Sequence, residues 1–131
     1  MKVLEHNHAY DMFGKPVDWT QGHNVFFLGL RKKSLDKREF MKRLYKHVNL
    51  TKKNLTKHGL QGYIFISNEN YEIAYLNWKS KEHLEKAFET AEGQEAMNDA
   101  AEILTGLQYE GAKPFFGPVQ VQDHSFTQTI D

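Results

Sequence analysis

Hydrophobic and polar positions are most sharply patterned between Gly62 and Glu92. The runs Tyr63-Ile64-Phe65-Ile66 and Tyr71-Glu72-Ile73-Ala74-Tyr75-Leu76-Asn77-Trp78 are rich in aromatic and β-branched residues and flank the polar Asn68-Glu69-Asn70, a pattern that predicts a β-hairpin. A two-residue loop places the Tyr63 and Phe65 set opposite Ala74 and Leu76, whereas a three-residue loop places it with Ile73, Tyr75 and Asn77; the pattern leaves both registers open. Directly afterwards Leu84, Ala87, Phe88 and Ala91 fall at helical spacing, with Ser80 placed to cap a helix beginning near Lys81. Gly93 interrupts that pattern. It resumes from Gln94 to Leu104 and stops at Gly106, which predicts a broken second helix.

Upstream, Asn24 to Arg31 alternates as a strand with Phe26, Leu28 and Leu30 on one face and Val25, Phe27 and Gly29 on the other. Both faces are apolar. Helices can cover one, and a second copy of the chain is the simplest cover for the other. A long helix then opens at Ser34-Leu35-Asp36, where Asp36 and Glu39 have capping-box spacing. Phe40, Leu44, His47 and Val48 form its inward stripe. The stripe weakens at Asn49-Leu50-Thr51, which predicts a kink or short loop, and the helix ends near His58-Gly59. Ala112 to Gln122 reads as a last strand, at an edge or bent because Pro114 and Pro118 each remove a ladder donor.

The resulting order, strand, helix, strand, strand, broken helix, strand, predicts an α+β chain with the ferredoxin-like β-α-β-β-α-β fold. Its antiparallel sheet carries both helices on one face. The expected divisions are an N-terminal extension over 1–23, the ferredoxin-like domain over 24–122 and a polar tail over 123–131.

Composition narrows the chemistry. With 131 residues, 40% hydrophobic and 26% charged, the chain is expected to form one globular domain. It contains no cysteine, which excludes disulfides, thiolate metal sites and cysteine nucleophiles. No apolar run approaches the roughly 20 residues of a membrane span and no signal sequence is evident, so a cytoplasmic protein without membrane association is expected. Net charge is zero but unevenly spread. Bases dominate from Arg31 to Lys57 and acids from Glu69 to Glu110. A basic nucleic-acid surface is one reading, and two helices screening each other side by side is the favoured one.

Three histidines, His6, His8 and His23, lie in the N-terminal segment. His6 and His8 have the spacing of half a metal site but lack a clear third ligand, so no metal is expected. His47 differs because it falls on the apolar stripe of the first helix. It can act as a general base or ligand donor in a cavity, or as a core-edge histidine bonded to a carbonyl.

Several short stretches, Leu30-Arg31-Lys32 before Asp36-Lys37-Arg38-Glu39-Phe40, Leu60-Gln61-Gly62-Tyr63, Leu76-Asn77-Trp78-Lys79-Ser80, and Glu92-Gly93-Gln94-Glu95-Ala96 through Asp99, together resemble the dimeric α/β-barrel superfamily. Within it the likeness is to antibiotic biosynthesis monooxygenase-like and EthD-like proteins, and it covers Val25 to Val121. The resemblance implies a homodimer with facing sheets and a ligand cavity between sheet and helices. EthD-like proteins carry a histidine eight residues after the helix phenylalanine; here Val48 stands there and His47 one residue before. Haem-degrading members use a tryptophan and a histidine on the second helix, where this chain offers Ala87 or Phe88 and Met97 or Asn98, so haem degradation is not expected.

The function expected is therefore a cofactor-independent monooxygenase-like or isomerase-like enzyme acting on a small aromatic or polyketide-like substrate. His47, Asn24 and Asn77 are the catalytic candidates, and Tyr63, Tyr75, Trp78 and Phe27 the substrate-binding ones; cofactor and metal are expected to be absent. The alternative is a non-catalytic dimeric module that binds a small apolar ligand or serves assembly. An RNA-binding ferredoxin-like domain shares the strand order, and Val25 to Leu30 approaches its first-strand motif. Nucleic acid is nonetheless disfavoured, because Tyr71 to Trp78 lacks the basic and glycine residues of the third-strand motif.

Overall fold

The structure is a computed structural model in which residues 8–15 and 17–110 are described. The expected strand at 112–122 and the tail at 123–131 lie outside them. In chain order the elements are β1 (His8–Asp11), β2 (His23–Arg31), α1 (Lys37–Thr56), β3 (Leu60–Asn68), β4 (Tyr71–Trp78), α2 (Lys81–Ala87), α3 (Ala91–Ile103) and β5 (Leu104–Glu110). The five strands form one sheet in the order β1-β3-β4-β2-β5, antiparallel at every pairing. Without β1 this is the ferredoxin-like arrangement predicted from the sequence. The segment ahead of residue 24 adds β1 to the outer edge of β3, and Met12, donating its N–H to the Tyr63 carbonyl, is buried in the core.

The hairpin turns through Glu69 and Asn70 alone, since Asn68 pairs with Tyr71. The Asn68 side chain fixes this turn by accepting the Asn70 N–H at 2.8 Å. Register follows: Tyr63 pairs with Leu76 and Phe65 with Ala74, while Ala74 and Leu76 pair with Phe27 and Val25 of β2. Directly paired residues share a face. One face therefore carries Val25, Phe27, Tyr63, Phe65, Glu72, Ala74 and Leu76, and the other carries Asn24, Phe26, Leu28, Leu30, Ile73, Tyr75 and Asn77.

The first face packs against α1. Asp36 caps this helix by accepting the Glu39 N–H at 2.8 Å, and Phe40, Leu44 and Val48 are fully buried at i, i+4 and i+8. Each such side chain contributes about 1.5–3 kcal/mol on burial. The expected kink at Asn49-Leu50-Thr51 does not occur, because the inward polar residues find partners: Asn54 donates to the Glu92 carbonyl at 3.0 Å and to Glu95 Oε1 at 2.7 Å. Gly59, at φ +107°, ends the helix in the left-handed region.

The second helical region breaks three residues ahead of Gly93. α2 stops at Ala87, and Thr90 caps α3 by accepting the Gly93 N–H at 3.0 Å. Gly93 serves close approach instead, since a Cβ there would lie 2.0 Å from the Ala87 carbonyl oxygen. At the other end Gly106 is not a helix stop: β5 begins at Leu104 directly after α3 and pairs along β2. The basic face of α1 meets the acidic face of α3 through Arg43–Glu102 at 2.7 Å, and the residues just past the end of α1 add Lys57–Glu92 and His58–Glu92, the latter at 2.7 Å. No helix among the described residues is long and apolar enough to cross a membrane.

Candidate active site

Between the sheet and helices α1 and α3 lies a cavity of about 370 Å³. Its wall is mainly apolar, built from Phe27, Ala74 and Leu76 of the sheet, Leu55 of α1, Phe88, and the small residues Ala96, Ala100 and Ala101 of α3, with the half-exposed Met97 at its edge. Four polar side chains interrupt that wall: His47 and Thr51 from α1, Tyr63 from β3 and Glu72 from β4. An apolar pocket with a few convergent polar groups is the usual form of a small-molecule site.

His47 is placed by helical spacing, one turn beyond Leu44 on the buried stripe, and is 6% exposed. Its Nδ1 lies 2.8 Å from Oδ2 of Asp99 on α3. The hydrogen bond to His47 holds the Asp99 carboxyl below its usual pKa, with the nearby Arg43 adding a smaller contribution. An ionised carboxylate only accepts, so Nδ1 carries the hydrogen. The other ring nitrogen, Nε2, lies 3.4 Å from the Thr51 hydroxyl, and both residues line the cavity. This is the arrangement of an oriented general base.

Glu72 and Tyr63 form a second pair. Both are at least 98% buried, and the Tyr63 hydroxyl lies 3.4 Å from Glu72 Oε2, a long contact that leaves both groups with hydrogen-bonding capacity. Burial raises the Glu72 carboxyl above its ordinary value, opposed in part by His47 and Tyr63. Burial, reinforced by Glu72, pushes the Tyr63 phenol well above its ordinary value. Among the described residues no group of three His, Cys, Asp or Glu side chains could hold a metal ion.

Of the residues singled out from sequence, the structure gathers His47, Tyr63 and Phe27 at the cavity. It separates the others. Tyr75 projects from the opposite sheet face, where its ring meets Phe26 at 5.1 Å. Trp78 packs at the end of β4 against Phe88 at 5.8 Å and does not line the cavity. Asn77 donates to Asn24 Oδ1 at 2.6 Å and to the Gln21 carbonyl at 2.9 Å, and accepts from Gln61 at 2.7 Å, while Asn24 donates to the Trp19 carbonyl at 2.8 Å. These amides are consumed in tying the 17–22 segment to the sheet. Glu72 and Asp99 went unrecognised in the sequence; the one signal for Glu72 is a carboxylate on the strand parity of Ala74 and Leu76.

No protein-family model matches the sequence, and no curated protein does. Solved structures do match. SnoaB, a cofactor-independent oxygenase from Streptomyces nogalater, superposes with a TM-score of 0.55 at 9% identity over 75% of this chain and 99% of its own. The chain has the SnoaB fold. A point variant of SnoaB gives the same TM-score at 10% identity. A candidate monooxygenase from Lactobacillus acidophilus NCFM superposes with a TM-score of 0.54 at 10% identity over 82% of this chain, which spans only 50% of that one. The ferredoxin-like architecture is thus shared with oxygenases of this type, at identities that speak to fold.

Proposed function

We propose that this protein is a cofactor-independent monooxygenase that acts on a small aromatic or polyketide-like substrate in the cavity between its sheet and helices. The carrying observation is the Asp99–His47 pair at 2.8 Å, which engages Nδ1 of a histidine that lines an apolar cavity. Shared architecture with a cofactor-independent oxygenase supports the reading. His47 Nε2 removes an acidic proton from a phenolic or enolic substrate. The resulting anion is electron-rich enough to pass one electron to dioxygen, and the two radicals join at carbon as a peroxide. That peroxide takes up a proton and loses water, so a CH2 group and O2 become a carbonyl and H2O. The apolar wall excludes bulk water and holds the flat substrate against the base.

The protein works as a homodimer with facing sheets. On the face away from the helices Leu30 is 53% exposed, and Phe26, Leu28, Ile66 and Ile73 are half-buried. A second copy is the cover that suits such a surface. Light scattering should return twice the monomer mass. Activity is tested by oxygen uptake with chelator-treated protein and a panel of polycyclic phenols: substrate-dependent uptake that falls when His47 becomes glutamine is expected. Binding of the panel with no uptake would instead favour a ligand-binding module.

A further inference from the structure

We infer that Tyr63 and Glu72 form a two-donor oxyanion hole, so that the same cavity catalyses proton transfer at the carbon next to a ketone without dioxygen. The inference rests on the cavity being the active site, as proposed above, but not on oxygenation.

The geometry carries it. Tyr63 and Glu72 come from neighbouring strands, both line the cavity, and their oxygens are 3.4 Å apart, beyond a good mutual O–H hydrogen bond. One carbonyl oxygen can receive both hydrogens if each group is protonated. Burial is the largest influence on both and favours that state, while His47 and the Tyr63 hydroxyl pull the Glu72 carboxyl partly the other way. A carboxylic acid kept neutral in an apolar site, beside a tyrosine, is an established way to stabilise an enolate. The charged and titratable groups around Glu72 are His47 on α1, with Asp99 of α3 behind it, and Tyr63 on β3. His47 supplies the base on the helix side of the cavity, opposite the two sheet-borne donors.

The step balances within the substrate and the protein. His47 Nε2 takes the proton from the α-carbon; the C–H electron pair becomes the C=C bond, and the carbonyl π pair moves to oxygen. Tyr63 and Glu72 donate to that oxygen. If the Nε2-bound proton is first replaced by one from solvent, its delivery to the same carbon exchanges hydrogen, and delivery of either proton to a conjugated carbon gives an isomer. The ligand class is a ketone with an acidic α-C–H on a flat apolar frame.

β-Tetralone in heavy water under nitrogen is the probe, with α-hydrogen exchange followed by proton NMR and β-naphthol fluorescence reporting occupancy of the same cavity. The full-length protein should accelerate exchange above buffer. Tyr63→Phe, which removes only a hydroxyl, should lower the rate constant at saturation about a hundredfold, and Glu72→Leu at least as much. Glu72→Gln, which retains an N–H donor, should restore part of the rate. β-Naphthol binding by Tyr63→Phe shows that the cavity is intact in that variant. Exchange no faster than buffer overturns the inference, as does acceleration that survives both Tyr63→Phe and Glu72→Leu. Oxygen uptake with phenols but no exchange would sink this inference and leave the monooxygenase standing; exchange without any oxygen uptake would do the reverse.

Discussion

Two buried polar clusters sit on opposite faces of the same strand, and they differ in whether their hydrogen bonds are spent. Asn77 and Asn24 on one face meet each other, Gln61 and two loop carbonyls at 2.6–2.9 Å. Glu72 and Tyr63 on the other face meet at only 3.4 Å and border a cavity. A satisfied network specifies structure, because each buried amide would cost free energy if left alone. A part-satisfied one beside a cavity leaves donors and acceptors for a ligand. Burial of a polar side chain therefore does not by itself mark a candidate site; unspent bonding capacity beside a cavity is the more selective sign.

The sharpest way to break this contrast is through activity. His47→Gln keeps the volume of the ring region but removes the base, and should lower oxygen uptake about 10²- to 10⁴-fold while costing little stability. A structural histidine would show the opposite profile, a large fall in denaturation midpoint with turnover per folded molecule retained. Asn77→Leu probes the other cluster. It strands the Gln61 amide, Asn24 Oδ1 and the Gln21 carbonyl, so urea titration should show a loss of about 2–4 kcal/mol, with uptake per folded molecule unchanged.

A smaller effect separates the clusters by pH. The Glu72 carboxyl has a folded pKa above its ordinary 4.5, so the folded state holds this proton more tightly than the unfolded chain. The stability contributed is fully present below about 4.5 and is lost as pH rises through the raised folded value. Glu72→Gln removes that dependence. Its melting temperature should gain on the wild type as pH rises above about 4.5 and through the raised folded value, and a constant difference over that rise would contradict the buried, proton-retaining carboxyl. Smallest of all, Asp36→Ala should cost about 1 kcal/mol through loss of the α1 cap, with no effect on either cluster.

Much of the fold was legible in the sequence because it rests on local signals. The alternation in β2, the Asp36 and Ser80 caps and the stripe from Phe40 to Val48 identify their elements without tertiary information. β5 was not legible, since Leu104 to Glu110 continues directly from α3 and its strand state is set by pairing with β2. The break before α3 was misplaced for a related reason: Gly93 answers a close approach to the Ala87 carbonyl, which only the packed structure reveals.

The candidate site divides in the same way. His47 follows from helical periodicity. Its partner Asp99 lies on another helix, and no spacing rule connects positions 47 and 99. Glu72 depended on one undetermined quantity, the length of the turn after Asn68. With Glu69 and Asn70 alone in the turn, Glu72 joins Tyr63 on the cavity face and Tyr75 and Asn77 leave it. A one-residue difference in register thus decides which polar residues of β4 can take part in chemistry.

The most direct measurement is oxygen uptake by chelator-treated wild type and His47→Gln with the same polycyclic phenols, at matched cavity occupancy. The account predicts uptake by the wild type that needs no added metal or cofactor and falls at least a hundredfold in the variant. No uptake with any of the phenols, or equal uptake by both proteins, would contradict it.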